Sequence, residues 1–342
     1  LEKPTPGSEP ILPAGSHRPL RLLSGVSPAP PELPQGSAPH YVVGVLEESM
    51  IREVLRAQWA LDDVHALVRR PEAMNSCVWV VERTDGRRAV VKAVPQGTGL
   101  PSGLAVARVV QEAAGIPTGA AQPAVDGRPT VIVDGWDVAL LTYVAGRPLD
   151  ASHKPDAVLW GTALGEAHTV LVDHPVPSEA ERWPWDWPDP SADHLDSLPD
   201  VRTLVGEAVE SCRSKVAAHH PTMGLLHADP DPGSFLVDDS GSVGIIDWGN
   251  AIWGPLLYDV ASAVVLQHLT GSPGRLATFL HCYEAASPLS WTELELLEAF
   301  VRLRWAVQAW WFAWRLAHDN RLGLDSPDGN RLGLEAAIDA LR

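Results

Sequence analysis

Between residues 225 and 266, three aspartates each follow an apolar run. Asp229 follows Leu225-Leu226-His227-Ala228, Asp247 follows Val243-Gly244-Ile245-Ile246, and Asp259 follows Gly254-Pro255-Leu256-Leu257-Tyr258. An apolar run that ends in aspartate predicts a buried strand delivering a carboxylate to its exposed end. Two such carboxylates on neighbouring strands can orient a hydroxyl and hold a divalent metal, the minimum apparatus for moving a phosphoryl group.

The elements that must position these groups are legible in outline. Residues 1–40 are rich in Pro, Gly and Ser without periodicity and predict a flexible or extended arm. Residues 47–59 predict an amphipathic helix with Met50, Ile51, Val54, Leu55 and Trp59 on one face. Strands are expected at 64–68, 77–81 and 88–94, with the tight turn Thr84-Asp85-Gly86 between the last two. A helix over 104–114 ends at Gly115 and Pro117. Hairpins are expected around Asp126-Gly127 and Asp134-Gly135, and 138–144 is the strand that leads out of this sheet. The remainder reads as mainly helical: 157–172, 201–218, 258–269, 275–286, 292–318 and 333–341.

The aspartate segments also carry a family resemblance. His227-Ala228-Asp229-Pro230-Asp231-Pro232-Gly233-Ser234 resembles the catalytic loop of the aminoglycoside phosphotransferase-like kinases, the group that includes choline kinase-type enzymes. That loop usually reads H-G-D, four residues, then Asn. Ile246-Asp247-Trp248-Gly249 resembles the family's metal-binding segment, and Gly254 to Ala261 resembles its G-P-x-x-x-D-L-A segment. Ala145-Gly146-Arg147-Pro148-Leu149 resembles the G-x-P-L segment that follows the hinge, and Leu164-Gly165 with Ala167-His168 resembles its L-G-x-x-L-A-x-L-H helix. Three motifs in order at short spacing are far more specific than any one alone.

The resemblance implies an α+β, two-lobed protein-kinase-like fold. Residues 41–145 would form an antiparallel-sheet lobe for nucleotide, and 146–342 a mostly helical lobe with the catalytic loop and acceptor site. It implies ATP or GTP as phosphoryl donor with Mg2+. Lys92, in Val90-Val91-Lys92-Ala93-Val94, would hold the α- and β-phosphates. Asn75 and Ser76 would cap them, and the backbone of Leu141, Thr142, Tyr143 and Val144 would meet the purine. Asp229 would orient the acceptor hydroxyl and receive its proton, and Asp247 would bind the metal. His227 and Asp259 are expected to be structural supports.

Three features depart from the family pattern. Ser234 stands where the second metal ligand is usually Asn, with Asp231 nearby as a substitute ligand or a substrate contact. The helix after Lys92 offers no glutamate to pair with it, since Glu112 falls near the helix end. The first hairpin has no Gly-rich loop. Three readings follow: a kinase for a hydroxyl of a small-molecule natural product or antibiotic, a kinase for Ser or Thr of a ribosomal precursor peptide, and a pseudokinase that binds a partner protein.

Composition bounds the partners. A net charge of −17 argues against nucleic acid, whose phosphates demand Lys and Arg. It favours a cationic substrate or peptide segment, or serves solubility alone. Lys92 stands out because Lys3, Lys154 and Lys215 are the only other lysines. Cys77, Cys212 and Cys282 are dispersed and odd in number, which predicts reduced thiols in a cytoplasmic protein. No apolar stretch is long enough to span a bilayer, and no basic-then-apolar secretory signal is apparent. Trp183, Trp185 and Trp187 would form an aromatic loop flanked by Glu179, Glu181, Asp186 and Asp189, suited to a basic substrate. Trp310, Trp311 and Trp314 either line the same cleft or pack in the core.

Overall fold

The computed structural model describes residues 46–70, 76–269, 273–290, 292–324 and 326–342. The Pro/Gly-rich arm and Asn75 lie outside the described residues. An amphipathic helix, α1 (Glu48–Trp59), precedes β1 (Val64–Arg70), β2 (Cys77–Arg83) and β3 (Arg88–Pro95). After α2 (Leu100–Ala114) come β4 (Ala121–Gln122), β5 (Val131–Val133) and β6 (Trp136–Thr142). These six strands form one antiparallel sheet in the order β1-β2-β3-β6-β4, with β5 also on β6. Ile51, Val54 and Leu55 of α1 bury against Trp79, Val81, Val91 and Val138. The strand alternation that puts Val91 in this core turns Lys92 to the other face.

Two expectations for this region change. The helix after β3 starts at Leu100, four residues before the expected 104, because Gly99 caps it with φ +78 and Pro101 occupies the first turn, where its missing N–H costs nothing. The Asp126-Gly127 turn does not join a paired hairpin. β4 and β5 each pair with β6 and not with one another. The Asp134-Gly135 turn, with φ of 47° and 80°, does join β5 to β6.

Past β6 the chain is mostly helical: α3 (Lys154–Leu171) and α4 (Pro199–His219) before the aspartate segments, and α5 (Leu257–Leu269), α6 (Leu276–Ala286), α7 (Leu297–Ala317) and α8 (Gly329–Leu341) after or within them. Short strands β7 (Arg147–Pro148), β8 (Met223–Leu226), β9 (Phe235–Val237), β10 (Val243–Ile245) and β11 (Ile252–Pro255) form two small sheets, β10-β9-β7 and β11-β8. One core joins Trp160, Leu164 and Leu171 of α3 to Leu225, Leu226, Phe235, Ile245 and Tyr258, all at most 1% exposed. Trp160 packs on Phe279 at 4.5 Å between ring centroids. A second core joins α7 to α4 and α8. The fold is the two-part α+β, kinase-like architecture expected: an antiparallel sheet followed by helices. Among the described residues no helix is long and apolar enough to cross a membrane, and the three cysteines are unpaired.

Candidate active site

The three aspartates arrive by different routes. Asp229 follows β8 and Asp247 follows β10, as the apolar runs predicted. These strands belong to separate sheets, however, so the expectation of neighbouring strands is corrected. β8 pairs with β11 and β10 with β9. The two turns are joined instead by His227 Nε2 donating to the Ile246 carbonyl (2.8 Å) and by Ile246 N donating to the Ser234 carbonyl (2.8 Å). Asp259 does not end a strand. It lies in the first turn of α5, since the Gly254-Pro255 end of β11 leads directly into helix.

Asp259 holds the turn that carries Asp229. Its Oδ2 accepts from His227 N and its Oδ1 from Ala228 N, both at 2.7 Å. His168 of α3 completes the buried chain, donating from Nε2 to Asp259 Oδ2 (3.0 Å) and accepting at Nδ1 from the Tyr283 hydroxyl (2.8 Å). These bonds hold Ala228 at φ 68°, a left-handed conformation that costs an L-residue about 1–2 kcal/mol. The His227 ring is fully buried, which pulls its pKa down and keeps it neutral, with the proton on Nε2. Its hydrogen bond joins the two turns.

Asp229 is 6% exposed, and Arg304 of α7 donates from Nη2 to its Oδ1 at 3.1 Å. Burial drives the Asp229 carboxyl well above the usual range, Asp231 and Asp247 push the same way, and Arg304 opposes them. Arg304 is itself fully buried and donates from Nε to Ser262 Oγ (3.1 Å). Turning the Gln308 amide brings its oxygen within 3.0 Å of Arg304 Nη1. The sequence reading missed Arg304. The available signal was a charge inside the apolar face of a helix, Leu303-Arg304-Trp305, which is costly unless it is paired.

Lys92 pairs directly with Asp247 Oδ1. Asp247 sits in the left-handed region (φ 66°), which Asp tolerates, and its carboxyl is held below the usual range chiefly by Lys92. The absent helix glutamate has a structural counterpart. Helix α2 presents Ser102 and Gly103 to the turn after Asp247, so close that a Cβ on Gly103 would collide with the Trp248 carbonyl oxygen. No long side chain fits there, and Lys92 reaches the Asp247 carboxylate unaided. Ser102 Oγ donates to the Ala251 carbonyl (3.3 Å), locking the same contact.

Asp231 caps the single 3-10 turn Pro232–Ser234 by accepting from Gly233 N at 2.7 Å. It is 4% exposed, and burial raises its pKa to about 6. Ser234 is 9% exposed, in the same turn. Asp247, Asp231 and Ser234 thus offer only hard oxygen donors, and the Asp247 carboxylate helps to raise the pKa of Asp231. That donor set fits a magnesium-type cation that keeps water and phosphate oxygens as its other ligands. Consistent with so sparse a set, no cluster of three or more His, Cys, Asp or Glu side chains suited to a metal exists among the described residues.

The other expected contacts separate. Ser76 begins the approach to β2. Leu141 and Thr142 end β6, and Tyr143 and Val144 follow where the chain leaves the sheet, with Arg88 stacked 3.9 Å from the Tyr143 ring centre. Trp183 and Trp187 line a cleft that also touches Ala228, Gly249 and Asn250. Trp185 packs against Trp183 at 6.2 Å and is not part of the lining. Trp311 is a correction. It is 1% exposed in the core of α7 and α8, stacked under Arg315 (4.7 Å), because its helix turns that face away from the cleft.

A family model described as the phosphotransferase enzyme family (APH) matches residues 68–300. The chain belongs to that family. A homoserine kinase of Neisseria meningitidis serogroup B is 26% identical over 140 residues, 41% of this chain and 46% of the relative. The chain thus spans about half the length of the curated relative it matches. Among solved structures, a microcompartment-associated aminopropanol kinase superposes with a TM-score of 0.67 at 17% identity, covering 86% of this chain and 95% of that one. An amicoumacin kinase in complex with AMP-PNP, Ca2+ and Ami gives 0.66 at 15% identity, covering 86% and 93%. At these identities the structural likeness establishes the fold. Within this phosphotransferase-family chain, Lys92 of β3 pairs with Asp247 after β10, and Asp247 lies near enough to Asp229 after β8 to raise its pKa.

Proposed function

We propose that this chain is an ATP-dependent phosphotransferase that moves the γ-phosphoryl group onto a hydroxyl of a small molecule, in the class of natural products or antibiotics. The convergence of Asp229, Asp247 and Lys92 carries the reading: one buried carboxylate for a hydroxyl, one exposed carboxylate for a metal, and the sole lysine of β3 beside it. Nucleotide would lie between the sheet region 41–145 and the helical region 146–342.

The chemistry required of the chain is modest, because phosphoryl transfer is mostly positioning and charge neutralisation. Asp229 Oδ1 is engaged by Arg304, so Oδ2 is left to orient the acceptor O–H. As the acceptor oxygen bonds to phosphorus and the β–γ P–O bond breaks, the hydroxyl proton passes to Asp229. Burial makes Asp229 a better proton acceptor than an ordinary aspartate, and Arg304 opposes that rise. Lys92 would shift from Asp247 towards the phosphates when nucleotide enters. Asp247, with Ser234 and Asp231 alongside, would hold Mg2+, which when bound neutralises charge on the β- and γ-phosphates.

The peptide and pseudokinase readings gain no observation of their own. The missing helix glutamate and Ser234 motivated the pseudokinase reading, and the direct Lys92–Asp247 pair bears on the first of these. Binding of ATP with Mg2+, followed by ADP release with a panel of small alcohols, tests the proposal. Lys92→Met and Asp247→Asn should each abolish release. A protein that never binds ATP at any concentration would sink it.

A further inference from the structure

Helix α2 brings no charge to the candidate site. Its two charged residues, Arg108 and Glu112, are exposed in its second half. What it does bring is a hydroxyl. Ser102, in the first turn, is 4% exposed, and its Oγ has a partner on each side. It donates to the Ala251 carbonyl (3.3 Å) and accepts from Glu181 N (3.0 Å). A serine hydroxyl has one proton to give, so the first bond commits it.

The first partner belongs to the turn that follows Asp247. Trp248–Asn250 form a single 3-10 turn, closed by Ala251 N donating to the Trp248 carbonyl (3.0 Å). Helix α2 holds both ends of this turn. Gly103 abuts the Trp248 carbonyl, and Ser102 binds the Ala251 carbonyl. Lys92 lies over the middle, its Nζ 3.1 Å from the place a Gly249 Cβ would take. Asp247 enters the turn at φ 66°, so the aim of its carboxylate follows from how the turn is held.

The second partner belongs to the segment that leads to Trp183. The Glu181 carbonyl accepts from Trp253 N, and Trp183 N donates to the Trp253 carbonyl, both at 2.8 Å, so 181–183 runs beside β11. The Glu181 side chain lies over Gly99 at the start of α2, with Oε1 3.1 Å from the place a Cβ would take. One buried hydroxyl thus joins three pieces of chain that are far apart in sequence. A methyl in its place would leave an N–H and a C=O without that partner, and buried groups of this kind are nearly always paired.

We infer that Ser102 is a positioning residue for Asp247. By fixing the turn on α2 it sets the aim of the Asp247 carboxylate, and with it the affinity for a divalent cation that binds together with nucleotide. The anchor rests on the two hydrogen bonds, and its effect on the cation rests on the phosphotransferase reading.

Ser102→Ala tests it, with Thr118→Val as the control. Thr118 is also buried, and its hydroxyl donates to the Ala107 carbonyl of the same helix (2.8 Å). The readouts are Mn2+ binding to the full chain with ADP, followed by electron paramagnetic resonance, and hydrogen–deuterium exchange over 180–183 and 248–253. Ser102→Ala should weaken Mn2+ binding by about tenfold or more, the usual effect of removing a group that orients a metal ligand. It should also speed exchange in both segments, while Thr118→Val leaves both readouts at wild-type values. If Ser102→Ala does not fold, Ser102→Cys decides by the same readouts, a thiol being a weaker donor and acceptor. Wild-type Mn2+ binding in the Ser102 variant, or an equal loss in Thr118→Val, overturns the inference. Wild type that binds no Mn2+ with ADP would remove the metal from the phosphotransferase reading, and exchange alone would then judge the anchor: faster in Ser102→Ala upholds it, unchanged overturns it.

Discussion

Arg304 Nη2 lies 3.1 Å from Asp229 Oδ1, and both side chains are withdrawn from solvent. The pair links the first half of α7 to the loop after β8, so the helical core and the Asp229 carboxylate are mechanically one unit. Removing one partner of a buried pair leaves an uncompensated charge, typically at a cost of about 3–5 kcal/mol. Arg304→Met should therefore lower stability by that order in denaturant unfolding. It should also move the acidic limb of the pH–rate profile to higher pH, because the guanidinium that opposes protonation of Asp229 is gone. Unchanged stability together with an unchanged limb would refute the assigned link.

Asp229→Asn keeps the shape of the loop and removes its proton acceptor. Turnover should fall by about 10²–10⁴-fold, the usual contribution of a positioned base. ATP affinity should hold, since the proposed nucleotide contacts lie on β3, at the end of β6 and after β10. A variant retaining wild-type kcat would reassign the base.

Gly103 separates two physical effects that point in opposite directions. Helix propensity alone predicts that Gly103→Ala in α2 stabilises by about 1 kcal/mol. The Trp248 carbonyl occupies the space of the new methyl, so the substitution should instead destabilise by about 1–3 kcal/mol and displace Asp247. Thermal unfolding gives the sign, and the Mg2+ dependence of turnover reports the displacement.

Ser234 can be tested through the metal requirement. Ser234→Ala should raise the Mg2+ concentration for half-maximal turnover by about tenfold, and Ser234→Asn should lower it, an amide oxygen being the better ligand. Equal Mg2+ curves for all three proteins would remove Ser234 from the metal site.

Asp156 sets an acid sensitivity apart from the cleft. Its buried carboxylate accepts from Arg147 Nη1 (2.7 Å), Arg147 Nη2 (2.9 Å) and Asp150 N (2.9 Å), and its pKa is held far below the usual range, chiefly by Arg147. A carboxyl whose folded pKa is depressed contributes stability above its unfolded pKa and loses it as pH falls through the folded value. Asp156→Asn should thus destabilise at neutral pH by about 1–3 kcal/mol. The deficit should shrink below about pH 4, where the unfolded carboxyl protonates. A deficit independent of pH would show that packing, not charge, holds α3 to β7.

Much of this molecule is local and therefore legible in the chain. The period-two pattern around Lys92 placed it on β3, the apolar runs placed Asp229 and Asp247 at strand ends, and the ordered motifs gave the family. Each depends on residues within a turn or two of one another, where backbone geometry and burial leave few choices. The apolar run before Asp259 suggested a strand end while the periodicity began a helix at 258; Leu257 and Tyr258 are apolar in either setting, and the helix is what forms, from Leu257. Trp311 was offered to the cleft because a helix's buried and site-facing sides carry the same residue types. What only the tertiary structure decided are the long-range pairs: Lys92 with Asp247, Arg304 with Asp229, His168 with Asp259, and Glu181 over Gly99. Their members are far apart in the chain, and their geometry comes from how helices α2, α3 and α7 pack on the two small sheets. The local sequence therefore determined which chemical groups are present, and packing determined which charges meet.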